Sequence, residues 1–399
     1  MENKWDISLA IVSDLHCHDE TFAPRESWLI AGASRKPPMH HPVQALISLI
    51  REGPISADVV VCPGDLANRI SRVGMMQSWD HLCELKRELK STLLITTLGN
   101  HDVDCLKKHN PDPFHIPRNL VDPFPAPSDA ALQDFWSKGF YVVDGPSGSQ
   151  FLVLNTVVAH HDEATAKRGT FDHDRIDRLD KNLSERLETV SAVSPYRHRI
   201  AVMHHHPLLH SSTRFSSSDV LEFGDQLLSV LNKHGFYFIV HGHRHEPRIT
   251  RLSPALNEQF VLASGSFSAF LTELSMSTRN LFHIVRLRKE TSGERLIGEI
   301  LTWEFNKGVG WRDSTRVSAA LPHIARFCSP RPHIPISEID KACRSSSGSI
   351  LRSTELNAKF PELGLLLPDE LAALCDQLSK SGIKLVLAAD GTPDYLGTP

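Results

Sequence analysis

The stretch LLITTLGNHDVDC, residues 93–105, carries a β-branched and apolar run straight into Gly99-Asn100-His101-Asp102. Any one of these polar residues is ordinary in a loop. An amide, an imidazole and a carboxylate in succession put three donor groups where a buried strand leaves the core. The same event recurs along the chain. ISLAIVS (7–13) runs into Asp14-Leu15-His16, and ADVVVC (57–62) into Pro63-Gly64-Asp65. RIAVM (199–203) runs into His204-His205-His206-Pro207, and FYFIV (236–240) into His241-Gly242-His243-Arg244-His245. In open α/β sheets ligands sit beyond the carboxyl ends of strands, so five such ends can converge on one place. A lone Asp-x-His or Gly-Asp is usually just a turn, but five in order point to a metal site. The donors are carboxylate, imidazole and amide oxygen with no thiolate, which suits first-row divalent metals better than a structural zinc–cysteine site.

Outward from these ends the pattern is strand alternating with helix. Further strand-like runs are QFLVLNTVV (150–158), FVLAS (260–264), LFHIVRL (281–287) and IGEILTWEF (297–305), and amphipathic stretches near 43–51, 76–90, 128–137, 173–188 and 219–234 read as helices. That alternation predicts an α/β fold with much parallel pairing, and the last strands, without helices between them, read as antiparallel. Two Pro-rich loops, 17–42 and 103–127, follow strands 1 and 3 and should wall the site. Their Arg25, Arg35, Lys36, Lys107, Lys108 and Arg118 would orient a small anionic ester. We expect a catalytic domain over 1–306, a Pro-rich linker over 307–336, and a small C-terminal α/β domain over 337–399 that closes with a helix and a hairpin turning at Asp390-Gly391, a winged-helix-like order.

Composition narrows the classes. The 399 residues carry a formal net charge of −4, so no basic field supports tight non-specific nucleic-acid binding. Seven cysteines, odd in number and without a C-x-x-C pair, read as reduced thiols of a cytoplasmic protein. No segment reads as a signal peptide or a membrane anchor. The 23 histidines cluster rather than spread. His40-His41 and His160-His161 are candidates to line a pocket, while His173, His198 and His234 read as packing or surface residues.

The motifs SDLH, GDLAN, GNHD, HHHP and GHRH resemble the five signatures of the calcineurin-like metallophosphoesterases, over roughly residues 5 to 305. The resemblance implies a four-layer α/β/β/α sandwich with two divalent metals at the edge of paired sheets, of which Mn, Fe or Zn are compatible with the donors. It implies Asp14, His16 and His245 on one metal, Asn100, His205 and His243 on the other, and Asp65 bridging both. His205 is taken from the triple because the family pattern is His-x-Pro and Pro207 sets the register. His101 is implied as a proton donor or charge clamp, with Asp102 fixing its tautomer. His206, Arg214 and His161 are candidate substrate contacts.

Paired cations lower the pKa of a bridging water, so a metal-bridging hydroxide is the expected nucleophile. The stretch GDLANRI departs from the G-D-x-V-D-R-G of Ser/Thr phosphatases at Asn68 and Ile70, and the third motif ends in Asp102, not Glu. Both departures disfavour a protein phosphatase, and the GNHD, HHHP and GHRH set resembles the cyclic-nucleotide and glycerophosphodiester branch, which implies hydrolysis of a small or cyclic-nucleotide-type phosphodiester. The alternative is a Mn-dependent nuclease whose residues 337–399 bind nucleic acid or a partner protein. The expected partners are the small substrate, no membrane, and a protein or second copy through 337–399.

Overall fold

The computed structural model describes residues 5–19, 27–32, 37–105, 107, 110–120, 124–160, 168–190, 197–209, 220–253, 257–270, 279–290, 295–315, 321–345 and 350–398. In chain order come β1 (Ile7–Ile11), α1 (Pro42–Glu52), β2 (Val59–Cys62), α2 (Arg72–Glu88), β3 (Leu93–Thr96), the one-turn α3 (His115–Arg118), α4 (Asp129–Lys138), β4 (Phe140–Asp144) and β5 (Ser149–Leu154). Next are α5 (His173–Val190), β6 (His198–Val202), α6 (Gly224–Lys233), β7 (Phe238–His241), β8 (Arg248–Leu252), β9 (Gln259–Ala263), β10 (Asn280–Lys289), β11 (Leu296–Asn306), β12 (Gly310–Asp313) and β13 (Ile324–Ser329). The tail adds α7 (Ile336–Ser345), β14 (Leu351–Arg352), α8 (Ser353–Lys359), α9 (Pro368–Lys380), β15 (Lys384–Leu387) and β16 (Pro393–Gly397).

These strands make two large sheets. One has the order β12-β11-β10-β1-β2-β3, with β13 also on β11; the other runs β4-β5-β6-β7-β9-β8. β1, β2 and β3 are parallel, as are β5, β6, β7 and β9, while β10 to β13 pair antiparallel. The strand period of two sorts the second sheet into faces. Phe151, Val153, Ile200, Val202, Phe238, Val240, Phe260 and Leu262 share one core with the first sheet. Leu152, Leu154, Ala201, Met203, Ile239 and Val261 pack instead on Ile176 and Leu179 of α5 and Leu227 and Leu231 of α6. The sheets meet directly where Phe327 of β13 stacks on Phe238 and Phe260, with ring centroids 5.9 and 4.3 Å apart. Each such buried ring contributes about 1.5–3 kcal/mol by leaving water.

Helices α1 and α2 cover the first sheet, giving the α/β/β/α order. α1 begins on Pro42, whose fixed φ and missing N–H suit a first turn, and buries Val43, Leu46, Ile47 and Ile50 on one face. His41 caps it, its Nδ1 accepting from the Gln44 amide at 3.4 Å, so this histidine is a helix cap and not a pocket wall.

Five strands lie outside the sequence reading: the two-residue β14, and β4, β8, β12 and β13. The last two correct the expected 307–336 linker, since both pair with β11. The prolines that suggested a linker flank β13 on either side, and the run between them buries Ala325 and Phe327 against the sheets.

The tail forms a three-stranded sheet, β14-β16-β15, around an apolar cluster including Ile339, Leu356, Leu371, Leu374 and Leu396. It docks on β8, the terminal strand of its sheet. Arg251, with its side chain 5% exposed, reaches Glu370 of α9 at 3.0 Å, Glu258 at 2.7 Å and the Cys328 carbonyl at 2.7 Å, and Arg248 pairs with Asp369 at 2.6 Å.

Candidate functional site

The five strand ends converge. Asp14 and His16 follow β1, Asp65 follows β2, Asn100 and His101 follow β3, His204 and His205 follow β6, and His243 and His245 follow β7. Local backbone makes this possible. Asp14, His16, Asp65, His243 and His245 all adopt left-handed φ, between 48° and 79°. Non-glycine residues rarely enter this region, and Asp and His do so more readily than most. The resulting curl turns residues two apart, such as Asp14 and His16, toward one point. Two glycines let the chains close in: a Cβ on Gly99 would lie 2.1 Å from Asp65 Oδ1, and one on Gly242 2.3 Å from Asp14 Oδ2.

The donors form two groups with a shared member. Asp14, His16 and His245 have ligand atoms within 4.8 Å of one another, and so do His204, His205 and His243. Asp65 links the groups, appearing with His16 and His101 on one side and with Asp14 and His204 on the other. Its Oδ2 is 3.6 Å from His16 Nε2 and 3.3 Å from His204 Nε2. Asn100 Oδ1 lies 2.9 Å from His243 Nδ1 and 3.2 Å from His204 Nε2. His245 Nε2 stands 3.3 Å from Asp14 Oδ1.

Of the three consecutive histidines, the structure sets His204, not His205, directly against Asp65 and Asn100. His204 Nδ1 faces the Pro63 carbonyl at 2.9 Å and so carries the hydrogen, which turns the Nε2 lone pair to the site. His205 is beside it: its Nδ1 meets the Thr156 hydroxyl at 2.8 Å, and its buried Nε2 has no hydrogen-bond partner among the described residues. The His-x-Pro register alone passes over His204. Its signal in the sequence is its position as the first residue after the strand, matching Asp14. His206 is 2% exposed, with its ring 5.9 Å from that of His243, so it backs the cluster and does not face an open cleft. Arg214 and His161 lie outside the described residues, as do Arg25, Arg35, Lys36 and Lys108.

His101 is half-buried, its ring edge-on to His16 at 4.6 Å and its backbone amide donating to Asp65 Oδ1 at 2.8 Å. The expectation that Asp102 fixes its tautomer gives way to a different arrangement. Both Asp102 oxygens hold backbone amides, of Ala67 at 2.8 Å and Gly99 at 2.9 Å. At His101 Nδ1 stand the Asn68 amide oxygen, at 3.1 Å, and the Arg69 backbone amide, which donates to it at 3.4 Å. Asp102 therefore ties the β2 loop to the β3 loop, and Asn68 and the Arg69 amide hold the His101 ring at Nδ1.

The electrostatics call for positive charge. Burial works against a charged His204, but Asp65 and Asp14 outweigh it and raise its pKa to about 9, so its Nε2 binds a cation when that cation displaces the proton. Burial also opposes the Asp65 charge, yet His204, His101 and His16 hold that carboxyl well below its usual range. Burial depresses His16 to about 3, and drives His205 and His243 well down as well, so these imidazoles sit neutral. Asp102 is pushed up to about 7, first by burial and then by the Asp65 charge. Neutral imidazoles around ionised carboxylates, with a buried nitrogen lacking a partner, are the donor set that divalent cations need. The residues fit two such ions, one on each group, joined by Asp65.

Residues 7–247 match the model of the calcineurin-like phosphoesterase family. No curated protein matches the chain. Among solved structures, GAP50, described as the anchor in the inner membrane complex of Plasmodium, is similar at 12% identity and a TM-score of 0.39, over 76% of this chain and 86% of that one. Vps29 from Chaetomium thermophilum is similar at 14% identity and a TM-score of 0.33, over 82% of this chain and 100% of its own. Phosphopantetheinyl hydrolase from Mycobacterium tuberculosis is similar at 15% identity and a TM-score of 0.34, over 65% and 89%. Likenesses this distant say nothing of a substrate.

Proposed function

We propose that this chain, which belongs to the calcineurin-like phosphoesterase family, hydrolyses small phosphodiesters, of cyclic-nucleotide type or of similar size. Membership makes it a metal-dependent phosphoester hydrolase; the diester preference is our own reading. The observation that carries it is the Asp65 carboxylate between two donor groups, with a half-buried imidazole, His101, at their open side.

Asp14, His16 and His245 would hold one divalent ion, Asn100, His204 and His243 the other, and Asp65 both, with His205 at the second group. Two such ions supply Lewis acidity at the phosphoryl oxygens and lower the pKa of a water between them. The chain's own residues do the rest. Asn68 and the Arg69 amide hold the His101 ring at Nδ1, and His101 would protonate the leaving oxygen. Asp102 keeps the loops carrying Asp65 and His101 in register. Arg69, exposed beside His101, supports binding of an anionic ester.

The diester reading rests on Asn68 and Asp102, which depart from the protein-phosphatase pattern, and on the acidic net charge. Seven free cysteines support a reducing, cytoplasmic location, and among the described residues no helix is long and apolar enough to cross a membrane. The test is a substrate panel on protein reconstituted with Mn, Fe or Zn: cyclic nucleotides, bis(p-nitrophenyl) phosphate, p-nitrophenyl phosphate, single-stranded DNA and plasmid. We expect diesters to exceed the monoester at least tenfold in kcat/KM, with plasmid left intact. Preference for the monoester would refute the diester reading. Plasmid cutting that depends on residues 337–399 would promote a nuclease.

A further inference from the structure

At the amino ends of β6 and β7, on the side of the sandwich away from the metal ligands, lies a cavity of about 190 Å³. Its wall includes Lys289, Tyr237, Asn232, Asn257 and Ser329. Lys289 ends β10 with its ammonium 5.1 Å from the centroid of the Tyr237 ring, and among the described residues no carboxylate forms an ion pair with it. Two arginines stand beside it. Arg199 donates to the His234 carbonyl at 2.6 Å, and Arg197 donates to Asp6 at 2.6 Å and to the Lys289 carbonyl at 2.5 Å.

Both nearby carboxylates are committed. Asp6 Oδ2 takes Arg197, His198 and the Lys289 amide. Glu258, in the wall, meets Arg251 at 2.7 Å and the Arg331 amide at 3.2 Å. Among the described residues, Lys289 and Arg197 thus share the Asp6 carboxylate, which His198 also engages. Burial, followed by Arg199 and Arg197, depresses the pKa of the half-buried Lys289, and Asp6 offsets only part of this. The economical complement is an anion from solution.

We infer that this cavity binds a compact oxyanion of the phosphate class. The Lys289 ammonium brings three donors, and the Ser329 hydroxyl and Asn257 amide add neutral ones, which suits a tetrahedral anion rich in acceptors. A cavity of this volume admits phosphate with ordered water around it. From Arg199 to His204 the chain runs along β6 and just past its end, so the anion sits roughly 17 Å from the metal ligands at about 3.3 Å per residue. It is a second site, not part of the first.

Thermal unfolding against inorganic phosphate tests this on four proteins: wild type, Lys289→Gln, Arg199→Gln and Asp65→Asn. A saturable rise in Tm is expected in wild type and in Asp65→Asn, with the apparent phosphate affinity at least tenfold weaker in Lys289→Gln and reduced in Arg199→Gln. Lys289→Gln should turn over diesters as wild type does, which shows it folded. A rise lost in Asp65→Asn but kept in Lys289→Gln would assign phosphate to the metal centre alone and overturn the inference. So would the absence of any saturable rise. A nucleoside monophosphate binding Lys289-dependently and tighter than phosphate would overturn the compact-anion assignment.

Discussion

At the carboxyl ends of β6 and β7, buried imidazoles crowd around carboxylates with ring nitrogens turned toward one another. At the amino ends of the same strands the buried imidazole of His198 has both nitrogens engaged, Nδ1 by the Tyr237 hydroxyl and Nε2 by Asp6 at 3.1 Å. His283, in the middle of β10, is satisfied likewise by Thr302 at 2.9 Å and the Ser264 carbonyl at 2.8 Å. The difference separates a histidine that holds the fold from one that holds a ligand. Burial does not, since both kinds are buried; what the second nitrogen meets does.

The largest way to break the contrast is Asp65→Asn. It removes the one charge shared by both donor groups, so metal content should drop from close to two ions per chain and turnover should fall to background; elemental analysis of the dialysed protein checks it. Retention of two ions would remove Asp65 from the bridge. His101→Ala comes next. It should keep both ions and lose about 10²–10⁴-fold in kcat, with the loss shrinking for good leaving groups. An equal loss across leaving groups would leave only a charge role.

The pair His204→Ala and His205→Ala sharpens the comparison inside the cluster. His204→Ala should weaken one of the two ions at least as much as loss of an outer-shell partner does, about 10–100-fold in metal affinity, while Asn68→Ala keeps the ions and lowers kcat. If His205→Ala sheds the ion and His204→Ala does not, the His-x-Pro register is the right one after all.

The smallest effect belongs to the other pole. Burial, against the opposing pull of Asp6, holds the His198 pKa down to about 4. Below pH 6.5 the unfolded chain takes up a proton that the folded chain refuses until near pH 4, so stability falls as pH falls through that window. Asp6, itself held low, loses its own contribution only at more acid pH, and burial holds the Tyr237 hydroxyl far above this range. One such group costs about 2 kcal/mol between pH 7 and pH 5. His198→Phe should flatten urea-denaturation stability across that range by this amount, whatever it does to stability at pH 7.

Much of this was legible in sequence because a metal site at strand ends writes polar residues directly after apolar runs, as at Asp14, Asp65 and Asn100. The choice between His204 and His205 was not. Neighbours on an extended chain point to opposite sides, and which of the two faces the site is set by the turn after β6, not by the apolar run itself. Asn68 as the partner of His101 depends on two loops meeting, a contact across 33 positions that no local pattern records. β13 hid among prolines, and β8 reads as polar because its arginines serve the tail.

Those arginines carry a consequence for shortened forms of the chain. Cutting at residue 336 would strip Glu370 from Arg251 and leave a guanidinium sealed in the interior with part of its counter-charge gone, a loss of the order of 3–5 kcal/mol for a broken buried pair. It would also bare the last strand of a six-stranded sheet, the kind of edge along which identical molecules add to one another. Such a truncation should show itself first as self-association on gel filtration, before any change in what the metal centre can do.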